Sequence, residues 1–231
     1  MYAYHDGNNA AISSTTRDPL KKVCAFVLEH VGTSLSFGGE LGHQYYPSML
    51  ADVVPTLRAI HQHGLIHGDV HLANICAKHD AEPSTTTTTS QWQVRVIDFG
   101  HAKAPGKYLL AGSLLNAPQE HLDAIAKSGR SVFVKYSPAT DLESLVKSVV
   151  VMDLVPRDRA EILRLESRLV HSATMDDEKE NGKQLHDYWA MLLERRVYYK
   201  KMLKYARATN YKKLQKKIRA TNYSTMWQNG E

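Results

Sequence analysis

Two stretches decide the reading of this chain: His67-Gly68-Asp69-Val70-His71-Leu72-Ala73-Asn74 and, further on, Val96-Ile97-Asp98-Phe99-Gly100. The first sets a carboxylate, a carboxamide and two imidazoles close together. Phosphoryl transfer asks for such a set. A carboxylate must accept the proton of an attacking hydroxyl, and oxygen ligands must hold Mg²⁺ against nucleotide phosphates. A rigid support must keep them in line, because catalysis of this kind is mostly positioning and electrostatics. Asp69 and Asn74 bracket a short loop. Asp98 closes a run, Val94-Arg95-Val96-Ile97, that alternates and then turns apolar, as a strand does. Gly100 lets the backbone turn sharply behind it.

Working outward, Met49, Leu50, Val53, Val54, Leu57 and Ile60 recur at three- and four-residue steps from Pro47. That spacing predicts an amphipathic helix stopping at His63-Gly64, which Pro55 should kink or divide. His61 and His63, at its end, read as C-terminal caps. Upstream, Val23-Cys24-Ala25-Phe26-Val27-Leu28 reads as a buried strand and 29–39 as a glycine-punctuated loop. Residues 82–90, with the unbroken run Thr85 to Thr89, read as a flexible insertion. Beyond Asp141 the pattern is helical. Leu142, Leu145, Val146 and Val149 form one apolar face, and Ile162, Leu163, Leu165 and Leu169 form another. Residues 175–180 read as an acidic connector before a last helical region near Leu185, with Tyr198, Tyr199, Met202, Leu203 and Tyr205 as packing residues.

The 231 residues, 43% hydrophobic, can build a core without disulfide or metal staples. Cys24 and Cys76 are the two cysteines, which excludes a disulfide scaffold and fits a reducing, intracellular compartment, cytoplasmic or nuclear. The first ten residues are polar, and no apolar run is long enough to span a bilayer. The net charge of +5 divides unevenly: residues 195–219 hold eleven of the 29 basic residues and no acidic one. A mildly acidic body therefore carries a basic tail, which implies an anionic partner or, more plainly, a solvated helix face. Leu214 and Ile218, set between lysine pairs, give the tail a thin apolar stripe with a basic rim. That pattern suits an anionic membrane, a nucleic acid or an acidic protein.

The two opening stretches resemble the C-terminal lobe of the protein kinase-like family, in a form similar to fungal protein kinase domain-containing proteins. The family sequence is His-Arg-Asp, four residues, Asn, and later Asp-Phe-Gly. His67, Asp69, Asn74, Asp98, Phe99 and Gly100 stand in that order. Residues 26–32 resemble the strand and hinge that present backbone groups to adenine. Ala117-Pro118-Gln119-Glu120 is similar to the Ala-Pro-Glu that ends the activation segment, with one residue inserted. Asp141-Leu142-Glu143-Ser144-Leu145 is similar to the start of the buried helix whose Asp braces the catalytic loop.

The resemblance covers 23–205 and implies an α+β, mainly helical kinase-like lobe with small β hairpins, a polar segment over 1–22 and a basic tail over 206–231. It implies transfer of the ATP γ-phosphate to a hydroxyl, on a protein rather than a small molecule, with ATP and Mg²⁺ as cofactors. Asp69 would be the base. Asn74 and Asp98 would be the Mg²⁺ ligands, and Glu29, Val31 and Gly100 would help to hold the nucleotide. His67 would pack under the loop and tie it to the Asp98 strand.

Two residues depart from the family pattern. Gly68 replaces the usual Arg, which removes a partner for an activation-loop phosphate. His71 replaces the usual Lys, and His-Gly-Asp-x-His-x-x-Asn is closer to small-molecule kinases of the aminoglycoside and choline type. Ahead of the hinge-like strand, Gly7 is the one glycine among 22 residues, with no Gly-rich loop and no strand Lys. The resemblance therefore implies a missing N-terminal lobe and weak or absent autonomous catalysis, with a pseudokinase-like binding module as the alternative. A second alternative makes His67, Asp69 and His71 direct ligands of iron or zinc, which leaves Asn74 and Asp98-Phe99-Gly100 unexplained.

Overall fold

The computed structural model describes residues 3–6, 24–27, 32–35, 45–79, 92–110 and 112–221. Helix α1 (Tyr46–Gln62) realises the three- and four-residue spacing, burying Met49, Leu50, Val53, Val54 and Leu57. It is one helix, not two. Pro55 sits on the exposed side, and the apolar face on either side of it is buried. That packing outweighs the ~3 kcal/mol cost of an interior proline.

Among the described residues, three short antiparallel sheets accompany the helices. Strand β1 (Ala3–Asp6) pairs with β2 (Cys24–Val27). Strands β3 (Thr33–Ser34), β4 (Ile75–His79) and β5 (Trp92–Val96) form a three-stranded sheet in that order. Strand β6 (Tyr108–Leu110) pairs with β7 (Phe133–Lys135). The β4–β5 hairpin matters most for the site. With Ile75 opposite Val96, the residues on either side of it, Asn74 and Ile97, are joined by a 2.9 Å bond from the Ile97 N–H to the Asn74 carbonyl. The loop that carries Asn74 and the strand end that carries Asp98 are thereby locked side by side. Glu29, Val31 and the insertion over 82–90 lie outside the described residues.

The core is helical. Helix α3 (Pro138–Asp153) is buried at every position from Thr140 to Asp153, the condition of a helix wrapped on all sides. It packs against α1 and the helix over 197–207, while α2 (Gln119–Ser128), α4 (Pro156–Val170) and α5 (Met175–Arg195) form a second group in which α5 packs on both of the others. Residues 175–180, expected as a connector, are instead the first turns of α5. Thr174 Oγ1 accepts the Asp177 N–H while the Asp177 carboxylate accepts the Thr174 N–H, each at 3.1 Å. Asp176, Asp177 and Glu178 favour the positive end of the helix dipole. Their polarity hid a helix start. Leu163, expected on the buried face of α4, is 38% exposed.

Helices α6 (Val197–Arg207) and α7 (Tyr211–Arg219) are the last elements among the described residues. The Leu214–Ile218 stripe is not open: both residues are fully buried, and α7 packs along α1. The domain boundary expected after residue 205 falls inside α6. Among the described residues, no helix is long and apolar enough to cross a membrane.

Candidate active site

The site is built where α1 ends. Gly64 takes φ +75°, and the chain crosses to Ile66, whose backbone pairs with that of Lys103 at 2.7 and 3.0 Å. His67, wholly buried, then uses both ring nitrogens. Nε2 donates to the Ile97 carbonyl at 3.0 Å, and Nδ1 accepts the Asp69 N–H at 3.3 Å. Its ring meets that of Phe99 edge-on, with centroids 4.9 Å apart. With both ring nitrogens hydrogen-bonded inside the protein and no solvent exposure, His67 suits the packing role under the loop better than that of a metal ligand.

Asp141, at the start of α3 and 1% exposed, accepts two backbone N–H groups: His67 on Oδ2 and Gly68 on Oδ1, each at 2.8 Å. This carboxylate fixes the direction in which the next residue, Asp69, leaves the loop. His61 Nε2 reaches the same Oδ2 at 2.8 Å, and its Nδ1 meets the Tyr211 hydroxyl at 2.8 Å. His61 is therefore a buried bridge, not the helix cap expected from its place near the end of α1. His63 does occupy the C-cap position. Gly68 stands at φ +80°, and a Cβ there would lie 2.9 Å from the His101 carbonyl oxygen. Both facts shut out the arginine that the family pattern has at this position.

Asp69 is surrounded by donors. Ser113 gives its N–H to Oδ1 at 2.7 Å, while Oδ2 takes Asn74 Nδ2 and faces His71 Nε2, both at 3.3 Å. Asn74 Nδ2 also reaches the Asp69 carbonyl at 3.1 Å. Because His71 Nδ1 accepts the Ala73 N–H at 3.2 Å, its Nε2 is the end that carries the proton toward Asp69. Burial pushes the Asp69 pKa up, but the His71 bond, the Ser113 N–H and the charges of His71 and His101 outweigh it. The group ends below its ordinary value. Gly112 closes the space further, since a Cβ there would stand 2.6 Å from Asp69 Oδ1. The hollow bounded by Asp69, Gly112, Ser113 and Tyr136 has room for about 10 Å³.

Asp98 is exposed and left-handed, at φ 62° and ψ 76°, a conformation that a short polar side chain can hold by local bonding. Its Oδ1 accepts the Gly100 N–H at 3.1 Å. The site's donor chemistry fits Mg²⁺. Asn74 commits its amino end to Asp69, so a hard cation would take the Oδ1 end, next to the strand end that bears the Asp98 carboxylate. Two protein oxygens suit an ion that draws its remaining ligands from water and phosphate. Among the described residues, no group of three or more His, Cys, Asp or Glu side chains gathers to cage a metal by itself.

The structure thus brings His67, Asp69, Asn74 and Asp98 to one end of the β4–β5 hairpin, while Glu29 and Val31 are not described. Sequence reasoning missed Gly112 and Ser113, which have no periodic signal and act through backbone atoms. It also missed His61 and Tyr211. The segment from Ala117 is anchored to α3: Lys147 donates to the Ala117 carbonyl and to Gln119 Oε1, and Glu143 accepts the Gln119 N–H at 2.8 Å. No family model and no curated protein matches the chain.

Proposed function

We propose that the chain is an ATP- and Mg²⁺-dependent phosphotransferase of the protein kinase type, with a protein hydroxyl as acceptor. The observation that carries this reading is the Asp69–Asn74 pair: a carboxylate held by the amide of a second polar residue on a loop braced from below by Asp141. Asp69 would orient the attacking hydroxyl and accept its proton, with its His71 and Ser113 partners favouring the ionised carboxylate. Asn74 and Asp98 would hold Mg²⁺, which when bound neutralises charge on the phosphate oxygens. His67 and Asp141 keep the loop from shifting.

The covering of Asp69 by Gly112 and the Ser113 N–H favours a second reading, a pseudokinase-like module that binds nucleotide without turnover. Thermal shift with Mg·ATP, together with phosphate transfer to a protein acceptor, tests both. Ligand at 100 times its dissociation constant should stabilise by about 2.7 kcal/mol. The kinase reading expects this shift to vanish in Asp98→Ala, and transfer to vanish in Asp69→Asn with the shift intact. A shift without transfer assigns the binding module. No shift at all, with transfer indifferent to both substitutions, overturns the phosphotransferase reading.

A further inference from the structure

The basic residues between 195 and 219 divide by type. All four arginines are clasped to acids of the body: Arg195 to Asp158 at 2.6 Å, Arg196 to Asp153 at 3.2 Å, Arg207 to Glu143 at 3.1 Å and Arg219 to Asp52 at 2.6 Å. None of the seven lysines (200, 201, 204, 212, 213, 216 and 217) has a carboxylate partner among the described residues, and all but the half-buried Lys217 are exposed.

On each helix the lysines lie opposite the buried positions, Met202 and Ala206 on α6 and Leu214 and Ile218 on α7. The two helices run antiparallel: Lys213 stands over the Tyr205 ring at 5.9 Å and Lys217 over the Tyr198 ring at 3.9 Å. Lys201 lies close enough to Lys217 to add to the effect of burial in lowering its pKa. The lysines therefore form one continuous face rather than two patches.

We propose that this lysine face is a docking surface for the phosphate backbone of nucleic acid, bound without regard to base sequence. Composition selects the occupant. Protein interfaces are built around aromatic and Arg anchors and are depleted of Lys; here the arginines are spent, and Tyr198 and Tyr205 lie beneath lysines. Stable attachment to a bilayer takes an apolar signal besides charge, and the apolar stripe of α7 is used up on α1. Binding to a phosphate backbone needs charge alone, and flexible point charges supply it. The proposal is independent of nucleotide binding at Asp98.

The test is fluorescence anisotropy of a labelled duplex of about 24 base pairs, titrated with the full chain across salt concentrations. Seven phosphate contacts give a slope of log Kobs against log salt of about −6, a loss of roughly 10³-fold or more between 50 and 200 mM. A combined variant with Gln at positions 200, 204, 212 and 216 keeps every arginine clasp. It should melt like the parent, halve the slope to about −3 and bind the duplex at least ~100-fold more weakly at 50 mM salt. The same substitutions to Arg should restore binding. An unchanged slope in the Gln variant overturns the proposal, as does no anisotropy change at 50 mM salt. So does tighter binding to phosphatidylserine-containing vesicles, or to a polyglutamate peptide, than to the duplex.

Discussion

Tyr211 and His61 stand 150 positions apart and share a 2.8 Å hydrogen bond. Through it the first residue of α7 reaches Asp141, and through Asp141 the backbone of the loop that carries Asp69. Tyr211→Phe should therefore cost about 1 kcal/mol in global stability and speed amide hydrogen exchange at His67 and Gly68. Asp141→Asn should cost more, about 2–4 kcal/mol, because a neutral amide cannot accept both N–H groups equally well. Unchanged exchange at the two amides in Tyr211→Phe would show that α7 does not support the loop.

His71 and Ser113 hold the Asp69 carboxyl below its ordinary pKa in the folded chain. The stability gained from this group is complete above its ordinary pKa and is lost as pH falls through the lower folded value. Carbon-13 NMR of the Asp69 carboxyl should give a midpoint below that of an ordinary aspartate in the parent and a higher one in His71→Ala. A midpoint that does not move would assign the depression to Ser113 and His101.

Two buried bases shape the pH profile of stability. Burial, with the charge of Lys147 adding to it, lowers His121 to about 4; burial, with Arg207 adding to it, lowers Lys147 to about 7. In both cases the unfolded chain binds the proton more tightly, so stability rises with pH between the folded and the ordinary value. Urea midpoints should climb from pH 4 to 6.5 through His121 and from pH 7 toward 10 through Lys147. The second slope is at most about 1.4 kcal/mol per pH unit, and Lys147→Met should flatten it. A Met variant with the parent's alkaline slope would place that titration elsewhere.

The arginine clasps should differ in strength. Glu143 is 5% exposed, so Arg207→Ala strands a buried carboxylate and should cost about 1–3 kcal/mol. Arg219 and Asp52 both keep solvent contact, and Arg219→Ala should cost under about 1 kcal/mol. Equal losses in urea denaturation would contradict this ranking.

What could be read from the residue string follows from what makes a local pattern. The α1 face and strand β5 announce themselves because apolar spacing of 3.6 or 2 is a near-neighbour property. The grouping of Asp69, Asn74 and Asp98 was legible for a similar reason: a short loop and a strand end, joined by one hairpin, carry all three. Ser113 was not, since it contributes a backbone N–H, which every residue but proline owns. His61 was assigned to a cap because its partners, Asp141 and Tyr211, are distant in sequence. The acidic start of α5 reads as a linker by composition and as a helix only once the reciprocal Thr174–Asp177 bonds are seen. The tail's charge was plain from the start, but its division into clasping arginines and outward lysines depends on acids far away in the sequence.

The docking of α7 onto α1 also sets an order of events. During synthesis at about 5–20 residues per second, some 8–30 s separate His61 from Tyr211. For the part of that interval after Asp98, the nascent chain holds Asp69, Asn74 and Asp98 but lacks the outer end of the bridge that stiffens their loop. The support behind this loop is thus completed only once Tyr211 has been made.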